Sequence, residues 1–385
     1  MRALILGARA PVALDHARRF AAQGWNVSVA DSVSCRVSGW SRSVQSTFAL
    51  PQPRVALSAF ARELSSLVSR ERIDVVLPTC EEVFFVSRIR ESLPAQCNVF
   101  VAPFELLARL HSKWTFLEEA RLAGIPVPES GRVSDLNQAR DWACGRPVVL
   151  KPEFSRFGTH TRTFRAGIGA GTLPALPKLG TWIVQDFVPG REVCSYSIAV
   201  AGQLLAHVVY LPKYRLQASS SYYFEPLLIP SIDSHVESLV GRLGFTGQIS
   251  FDWIERSQGE FVALECNPRA ISGLHLFNCL QPLPAVIAGQ LTTRVGVESR
   301  VPRMLAVVML AAGLPAAMRS GTFATWHRDW MRATDVLTVP GDHRPILGAV
   351  RDLMSFAHLA LRQRCSLREA TTHDIEWDGQ PLCER

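Results

Sequence analysis

An acid, an amide and a base alternate in one short segment, FVALECNPRAISG, which covers residues 261 to 273. They are Glu265, Asn267 and Arg269, and side chains two residues apart on a strand point to the same face. A carboxylate, an amide oxygen and a guanidinium can together bind a divalent cation and an anionic ligand. The segment therefore predicts a site for charged ligands at the end of a strand.

The strand that ends in this segment is predicted to pair with the one before it. Residues 248–255 and 260–265 are rich in strand-forming residues and flank a four-residue loop, Ser257 to Glu260, that contains a glycine. A hairpin closed by that loop has a fixed register. The expected opposed pairs are Arg256 with Phe261, Ile254 with Ala263, and Asp252 with Glu265.

Two carboxylates in directly opposed sheet positions repel each other, so this register predicts a compensating cation. Oxygen ligands from Asp252, Glu265 and Asn267 suit Mg²⁺, with Mn²⁺ as an alternative, whereas Zn²⁺ prefers histidine or cysteine. The competing interpretation is that both acids are solvated residues of an exposed hairpin. The register, the nearby amide and the following Pro268 and Arg269 favour the metal site.

Composition limits the kinds of partner. The chain has 385 residues, 48% hydrophobic and 19% charged, which predicts a globular protein of two or three packed units with clefts between them. Lysine and arginine exceed aspartate and glutamate by 41 to 34, a net charge of +7. That excess favours anionic ligands, and because no dense basic run concentrates it, small phosphate-bearing ligands are expected rather than nucleic acid.

Cysteines and apolar segments indicate the compartment. The nine cysteines form no CxxC pair, which is typical of reduced, buried thiols. The longest apolar segments, such as Met304 to Leu314, are shorter than the roughly 20 residues that span a bilayer. The N-terminal apolar segment is too short for a signal peptide and predicts a strand. We therefore expect a cytoplasmic protein with no membrane partner.

The N-terminal part is predicted to be a parallel α/β unit. Its opening elements are a strand at Arg2 to Leu6, a helix at Val12 to Gln23 and a strand at Val27 to Ala30. The turn GARAP lacks GxGxxG, which argues against a dinucleotide-dependent dehydrogenase. A further strand, Asp74 to Leu77, is followed by Glu81 and Glu82. Parallel sheets bind ligands at such carboxyl ends, so one of these acids is expected to face a substrate.

The middle of the chain is predicted to be antiparallel α+β. A helix at Lys113 to Ala123 ends at Gly124. Strands are expected at Pro147 to Lys151, Trp182 to Phe187, Glu192 to Val200 and Leu204 to Tyr210, the last two forming a hairpin. After residue 300, Met304 to Leu314 and Gly348 to Arg364 predict helices of a packing element.

These motifs, in this order, resemble the ATP-grasp superfamily. Glu265 to Arg269, Glu-x-Asn-Pro-Arg, is similar to its metal motif, and the opening unit is similar to the pre-ATP-grasp domain of the carbamoyl-phosphate-synthetase-like branch. The resemblance extends over roughly residues 1–300. It implies an α/β and α+β fold: a Rossmann-like pre-ATP-grasp domain (1–110), a small lobe with a lid loop (111–190), a large lobe with the metal hairpin (191–300) and a C-terminal helical cap (301–385).

The resemblance implies that Lys113 and Lys151 bind the phosphates of ATP. A snorkelling surface lysine is the alternative for either residue, more so for Lys113 than for Lys151. The loop after Lys151 departs from the superfamily, because Gly158 alone remains where a glycine-rich loop is usual. Arg156 and Arg162 are candidates to replace its backbone donors, the alternative being an exposed loop.

The segment WIVQDFVPGRE, Trp182 to Glu192, is similar to the linker that holds adenine. The main-chain groups expected to meet the base are those of Gln185, Asp186, Phe187 and Val188. Glu192 is expected at the ribose hydroxyls. The alternative interpretation of the same residues is a structural strand followed by a Pro-Gly turn.

Further site residues follow from their position beside the metal motif. A polar loop is expected from Pro212, with Lys213 or Arg215 reaching the γ-phosphate or substrate. Arg269 and His275 are expected at the reacting acyl phosphate. A solvated loop charge and a packed core histidine are the alternatives. Weaker substrate candidates are Glu81, Ser272 and Gly273.

The activity that the resemblance implies is ATP- and Mg²⁺-dependent ligation of a small-molecule carboxylate to an amine through an acylphosphate. One alternative is a carboxylase or carbamoyl-type synthetase that uses bicarbonate. Another is a non-catalytic nucleotide-binding scaffold with a degenerate site. Dimers are common in the superfamily, so a homodimer is one assembly that the resemblance implies.

Overall fold

The computed structural model describes residues 1–34, 36–155, 160–169, 176, 180–216, 220–257, 259–297 and 299–382. Its strands form three sheets. The strands of the first are β1 (Arg2–Leu6), β2 (Asn26–Asp31), β3 (Ser46–Ala49), β4 (Val75–Leu77) and β5 (Asn98–Val99). The second contains β6 (Ser130–Val133), β7 (Val148–Pro152), β8 (Arg162–Phe164) and β9 (Trp182–Asp186). The third contains β10 (Arg191–Val200), β11 (Gln203–Leu216), β12 (Ser220–Leu227), β13 (Gly247–Ser257), β14 (Glu260–Asn267), β15 (Arg303–Met304) and β16 (Thr334–Asp335).

Helices connect and cover these sheets. Those of the first half are α1 (Pro11–Ala22), α2 (Leu57–Glu71), α3 (Glu82–Ile89), α4 (Phe104–His111), α5 (Lys113–Leu122) and α6 (Leu136–Ala143). Those of the second half are α7 (Pro230–Leu243), α8 (Leu283–Ile287), α9 (Ala306–Val308), α10 (Leu314–Arg319), α11 (Phe323–Arg332), α12 (Pro345–Gln363) and α13 (Leu367–Ala370). Short 3-10 helices lie at Val37–Trp40, Arg90–Ser92 and Ser272–Leu276, and a π-helical turn, Met309–Gly313, joins α9 to α10.

The N-terminal sheet is parallel, in the order β3-β2-β1-β4-β5. Its central strands are apolar and buried, as expected for a parallel sheet covered by helices. The turn after β1 needs glycine, because Gly7 has φ 73° and an added Cβ would lie 2.7 Å from Thr79 Oγ1. The predicted α/β opening and the mixed fold class are confirmed.

The small sheet has the order β6-β9-β7-β8 and is antiparallel throughout. The apolar side of β7 packs with Trp182 and Val184 of β9 against α6, in a core that includes Val148 and Leu150. Lys151 follows Leu150 and pairs with Ile183. The strand therefore carries the lysine out of an apolar core.

The large sheet has the order β14-β13-β10-β11-β12-β15-β16. The predicted hairpin of β10 and β11 is present. The loop predicted from Pro212 is wrong, because β11 continues to Leu216 and Pro212 pairs with Phe224 of β12. The ladder is irregular between Pro212 and Tyr214, so Lys213 is displaced from the regular alternation.

The hairpin of β13 and β14 keeps Asp252 opposite Glu265, as predicted. The other two predicted pairs are wrong, because the register shifts between Asp252 and Trp253 and again between Glu255 and Ser257. The observed partners there are Ile254 with Val262 and Glu255 with Phe261. Each irregularity adds one residue to one strand, and together they restore the register at the acidic pair.

The C-terminal region is more than a helical cap. Its strands β15 and β16 extend the large sheet, and its first helix begins at Ala306 rather than at Met304. Residues 371–380, here named the C-terminal segment, cross the carboxyl ends of β1 and β2. Asp374 accepts hydrogen bonds from Arg9 Nη1 and Nη2, both at 2.7 Å. Within the described ranges, no helix is both long and apolar enough to cross a membrane.

Candidate active site

The acidic pair lies on one face of the large sheet. Asp252 and Glu265 are joined by a side-chain hydrogen bond. Burial and the charge of Glu265 raise the pKa of Asp252 to about 7. Burial also opposes ionisation of Glu265, but Lys113 and Lys151 outweigh it and lower that pKa. Near neutral pH the pair therefore holds a proton that an added cation would displace.

Asn267 completes a set of oxygen ligands on this face. Its Nδ2 lies 3.5 Å from Asp252 Oδ2, and its Oδ1 accepts from Arg269 Nη2 at 3.1 Å. Rotation of the amide would turn Oδ1 towards the carboxylates, an orientation that becomes favourable only when a cation lies between them. Two carboxylates and an amide fit Mg²⁺. Among the described residues, no group of three or more His, Cys, Asp or Glu side chains forms a metal cluster, so the site depends on this amide.

Two buried lysines border the acidic pair. Lys113, the first residue of α5, donates to Ser155 O at 2.9 Å, and its Nζ lies 3.8 Å from Glu265 Oε2. Lys151 Nζ donates to Leu264 O at 3.4 Å, and burial lowers its pKa to about 8. Neither lysine snorkels to the surface, because both are less than a tenth exposed. Two buried ammonium groups beside two carboxylates form a site suited to an anion bound through a metal.

Arg269 connects this hairpin to the N-terminal sheet. Its Nε donates to Glu81 Oε1 at 2.7 Å, and its Nη1 donates to Ala270 O at 3.3 Å. The Glu81 carboxylate raises the pKa of Arg269, against the effect of burial. Glu81, predicted to contact the substrate, and Arg269, predicted to be catalytic, therefore form an ion pair with each other at the carboxyl end of β4.

Lys213 and Arg215, both on β11, differ in their surroundings. Arg215 forms an ion pair with Glu192, so these two predicted site residues also meet each other. The Arg215 charge lowers the pKa of Asp252, against the larger effects of burial and Glu265 that raise it. Lys213 instead lies 2.9 Å from Asp329 and 3.7 Å from Glu225. The expected reach of Lys213 to a phosphate is not supported by this arrangement.

In the segment expected to hold adenine, two main-chain N–H groups already form hydrogen bonds to other parts of the protein. Asp186 N donates to Glu129 O and Phe187 N donates to Pro147 O, both at 2.9 Å. The Gln185 side chain is buried and donates to Ser130 Oγ at 3.2 Å. Asp186 and Phe187 thus direct their N–H groups to other main-chain carbonyls, and the adenine contact of the segment from Gln185 to Val188 stays a prediction.

The end of that segment borders the metal face through an apolar cluster. Val188 packs with Ile254 and Val262, and Leu264 lies against them. Ile254 is two residues from Asp252 on the same strand, so its side chain is on the same face. The cluster provides an apolar surface beside the acidic pair.

His275 lies in a separate buried network. Its Nδ1 is 2.8 Å from Asp15 Oδ2, and Arg19 Nη2 is 3.3 Å from Asp15 Oδ1. Burial would raise the pKa of Asp15, but Arg19 and the His275 hydrogen bond leave it well below the usual range. His275 therefore joins the 3-10 helix to α1, which matches the packed-core alternative.

The neighbours of His275 in the short helix also pack. An added Cβ at Gly273 would lie 2.5 Å from Tyr196 Cβ, so Gly273 lets the helix approach β10. Ser272 opens the same helix and is half-buried. Arg156 and Gly158, predicted in the lid loop, lie outside the described residues, and Arg162 begins β8.

Sequence reasoning missed two members of the metal face. Cys194 Sγ donates to Asp252 Oδ1 at 3.1 Å, and Tyr210 lies opposite Cys194 on β11. Burial and the Asp252 charge raise the pKa of Cys194 well above its usual value. The pairing of β10 with β13 brings Cys194 to Asp252, 58 residues further along the chain, and no local pattern reveals it.

Comparisons with known proteins agree on the fold. No family model matches the chain, and no curated protein matches it. Among solved structures, the chain is similar to N5-carboxyaminoimidazole synthetase from Staphylococcus aureus complexed with ADP, at 13% identity and a TM-score of 0.60, covering 83% of this chain and 86% of that one. It is also similar to L-amino acid ligase from Bacillus licheniformis, at 13% identity and a TM-score of 0.57, covering 75% and 76%.

A third similar structure is the biotin carboxylase domain of 2-oxoglutarate carboxylase from Hydrogenobacter thermophilus, in complex with MgADP and bicarbonate. Identity is 14% and the TM-score is 0.60, over 77% of this chain and 71% of that one. The chain has the ATP-grasp fold that these proteins share. The family resemblance stated from the sequence is thus confirmed at the level of the fold.

Proposed function

We propose that this protein is an ATP- and Mg²⁺-dependent carboxylate–amine ligase that forms an amide through an acylphosphate. The observation that carries the proposal is the placement of Asp252 opposite Glu265 with Lys113 and Lys151 beside them. The similarity to an L-amino acid ligase supports the reaction class, since the two chains share a fold. The substrates are small molecules, and we place the protein in the cytoplasm.

The proposed binding roles follow the geometry. Asp252, Glu265 and Asn267 would hold Mg²⁺, which supplies charge neutralisation at the β- and γ-phosphates. Lys113 and Lys151 would bind phosphate oxygens from the other side. The apolar cluster of Val188, Ile254 and Val262 would lie under the adenine ring. The Glu192 carboxylate, more than half exposed beside Arg215, is available to the ribose.

The proposed chemistry has two steps. A substrate carboxylate oxygen attacks the γ-phosphorus, and the bond from that phosphorus to the bridging oxygen breaks, releasing ADP. The amine nitrogen then attacks the acyl carbon, and phosphate leaves with the bonding pair as the amine loses a proton. Arg269, fixed by Glu81 and adjacent to Asn267, would donate to the developing oxyanion.

A second candidate uses bicarbonate as the carboxylate. Two of the similar structures favour it, since one is an N5-carboxyaminoimidazole synthetase and another holds bicarbonate. Both candidates share the phosphorylation step and differ in the acid. The proposal also divides the chain into a pre-ATP-grasp domain (1–110), a small lobe (111–190), a large lobe (191–300) and a C-terminal region (301–385).

The test measures ADP release from ATP in the presence of pools of carboxylic acids, and each acid pool is assayed with and without a pool of amines. Hydroxylamine is added in a parallel assay to trap any acylphosphate as a hydroxamate. We expect hydroxamate formation with one acid class, which identifies the carboxylate. Release that depends on bicarbonate alone would favour the second candidate. Tight MgATP binding without ADP release from any acid would instead indicate a nucleotide-binding scaffold. Asp252→Asn serves as the inactive control, because it removes a proposed metal ligand and keeps the side-chain size.

A further inference from the structure

The outer face of α12 carries large apolar side chains in solvent. Leu347, Val350, Met354 and Leu361 are exposed by 59%, 45%, 62% and 81% of their surface. Their spacing of three, four and seven residues places them along one side of the helix. The opposite side is buried through Gly348, Asp352, Phe356 and Ala360. We name the four exposed residues the α12 stripe.

The exposed charges between residues 301 and 364 are those of arginines, and Arg344, Arg351 and Arg362 lie on α12 or immediately before it. Seven arginines between residues 301 and 364 are exposed: Arg319, Arg328, Arg332, Arg344, Arg351, Arg362 and Arg364. The four acids of this part of the chain are not exposed, since Asp329, Asp342 and Asp352 are buried and Asp335 is half-buried. The surface of this region is therefore apolar and cationic.

We propose that the α12 stripe and its flanking arginines bind the surface of a membrane that contains anionic lipids. A helix with aliphatic side chains on one side and arginines beside them lies in the plane of the lipid interface, where both groups are satisfied. Anionic headgroups complement Arg344, which immediately precedes α12, and Arg351 and Arg362, which lie within it. This departs from the expectation, drawn from the sequence, that the protein has no membrane partner.

Other occupants fit these observations less well. Two copies meeting through the stripe would bring Arg344, Arg351 and Arg362 of one copy towards those of the other, and like charges that face each other oppose association. A protein partner is usually bound around a buried aromatic anchor, whereas the stripe contains leucine, valine and methionine.

The test uses the full-length protein and sedimentation with vesicles of phosphatidylcholine, with and without phosphatidylglycerol. We expect binding to the anionic vesicles, weakened by salt, and little binding to phosphatidylcholine alone. Leu361→Glu should weaken vesicle binding by at least about tenfold, because it places a charge in the apolar contact. Arg351→Ala should weaken it by about fivefold.

Two matched control variants show whether a loss of vesicle binding is specific to the α12 stripe and its arginines. Leu228→Glu changes another leucine, 75% exposed, that lies between β12 and α7, and Arg62→Ala removes an exposed arginine of α2. Both should bind vesicles as the unchanged protein does, and circular dichroism should show all four variants folded. Absence of binding to anionic vesicles overturns the proposal, as does equal weakening by Leu228→Glu. A dimer that Leu361→Glu dissociates, without vesicle binding, would assign the face to a second copy and overturn it as well.

Discussion

Arg269 and Glu81 form a buried ion pair that joins the hairpin of the metal face to the carboxyl end of β4. Replacement of Glu81 by Gln leaves the guanidinium buried without its counter-charge, so we expect Glu81→Gln to lower the free energy of unfolding by about 3 kcal/mol. Urea denaturation measures this change. The double variant Glu81→Gln, Arg269→Met should lose less free energy of unfolding than the sum of the losses of the two single variants. The reason is that the double variant no longer holds an uncompensated buried charge.

The control for this pair is Glu260→Gln. Glu260 forms an exposed ion pair with Arg256 in the same hairpin, at 3.5 Å. Exposed pairs contribute little, so the change in unfolding free energy should be below about 0.5 kcal/mol. Equal losses from the Glu81 and Glu260 variants would contradict a structural role for the buried pair.

Asp252→Asn should stabilise the metal-free protein and remove its activity. Burial and Glu265 raise the pKa of Asp252, so its charged form is unfavourable in the folded state, and stability declines as pH rises through about 7. A neutral amide removes that decline, and we expect a gain of about 1–2 kcal/mol at pH 8. ADP release should fall by at least about a hundredfold through the loss of a metal ligand. Thermal unfolding with and without Mg²⁺ supplies the second measurement: Mg²⁺ should stabilise the unchanged protein and not the variant.

Asp352 predicts a second, separate dependence of stability on pH. Burial is the main reason that its pKa is raised to about 7, with a smaller contribution from Asp31, although Val37 N donates to it at 2.8 Å. Its folded-state pKa exceeds the unfolded value, so the stability that it contributes is present below about pH 4 and is lost as pH rises towards 7. Asp352→Asn should flatten this part of the pH profile by about 1–2 kcal/mol.

The measurement for Asp352 is urea denaturation at pH 5 and pH 8, compared with the unchanged protein. The amide of the variant can still accept from Val37 N. An Asp352→Asn profile parallel to that of the unchanged protein would show that the carboxyl is ionised in the folded protein throughout this range.

Lys213 is expected to stabilise the fold rather than bind phosphate. It pairs with Asp329, which is 1% exposed and also accepts from Tyr214 Oη at 2.7 Å. Lys213→Met should lower the free energy of unfolding by about 2 kcal/mol and leave KM for ATP within about twofold. In an Asp329→Asn background the same change should have little further effect on stability. A large rise in KM for ATP would return Lys213 to the nucleotide site.

The acidic pair could be predicted from the sequence because its determinants are local. A hairpin closed by a short loop fixes its own register, and strand alternation places Asn267 on the face of Glu265. The two irregularities within the ladder could not be predicted from the sequence, because either strand can take up an extra residue without a change in its hydrophobic pattern. They compensate each other, which is why Asp252 still meets Glu265.

Long-range pairing is the part that the sequence did not reveal. Lys213, Glu192 and His275 were assigned by their position near other motifs, yet Lys213 and Glu192 form ion pairs with Asp329 and Arg215, and His275 hydrogen-bonds Asp15. Ion pairs between distant segments depend on the packed fold, and a charged residue looks the same in the sequence whether it binds a ligand or a partner side chain. The same applies to the C-terminal segment, which carried no recognisable motif.

That segment supplies the last prediction. Trp377 packs against Phe84, with ring centroids 5.1 Å apart, and against Phe154, at 5.3 Å. Phe154 follows Lys151 by three residues, and Ser155 next to it accepts from Lys113. The tryptophan should therefore hold Phe154 and Ser155 in place beside the two lysines.

Trp377→Ala should lower the free energy of unfolding by about 3–5 kcal/mol and weaken MgADP binding, because the support for Phe154 is lost. Trp377→Phe keeps a ring against the cluster and should recover much of the nucleotide affinity. Trp330→Ala is the matched control, since Trp330 stacks on Trp326 in a separate cluster of the C-terminal region. Nucleotide titration of folded samples decides the result. If Trp330→Ala weakens MgADP binding as much as Trp377→Ala, the effect is one of general stability and not of the loop beside Lys151.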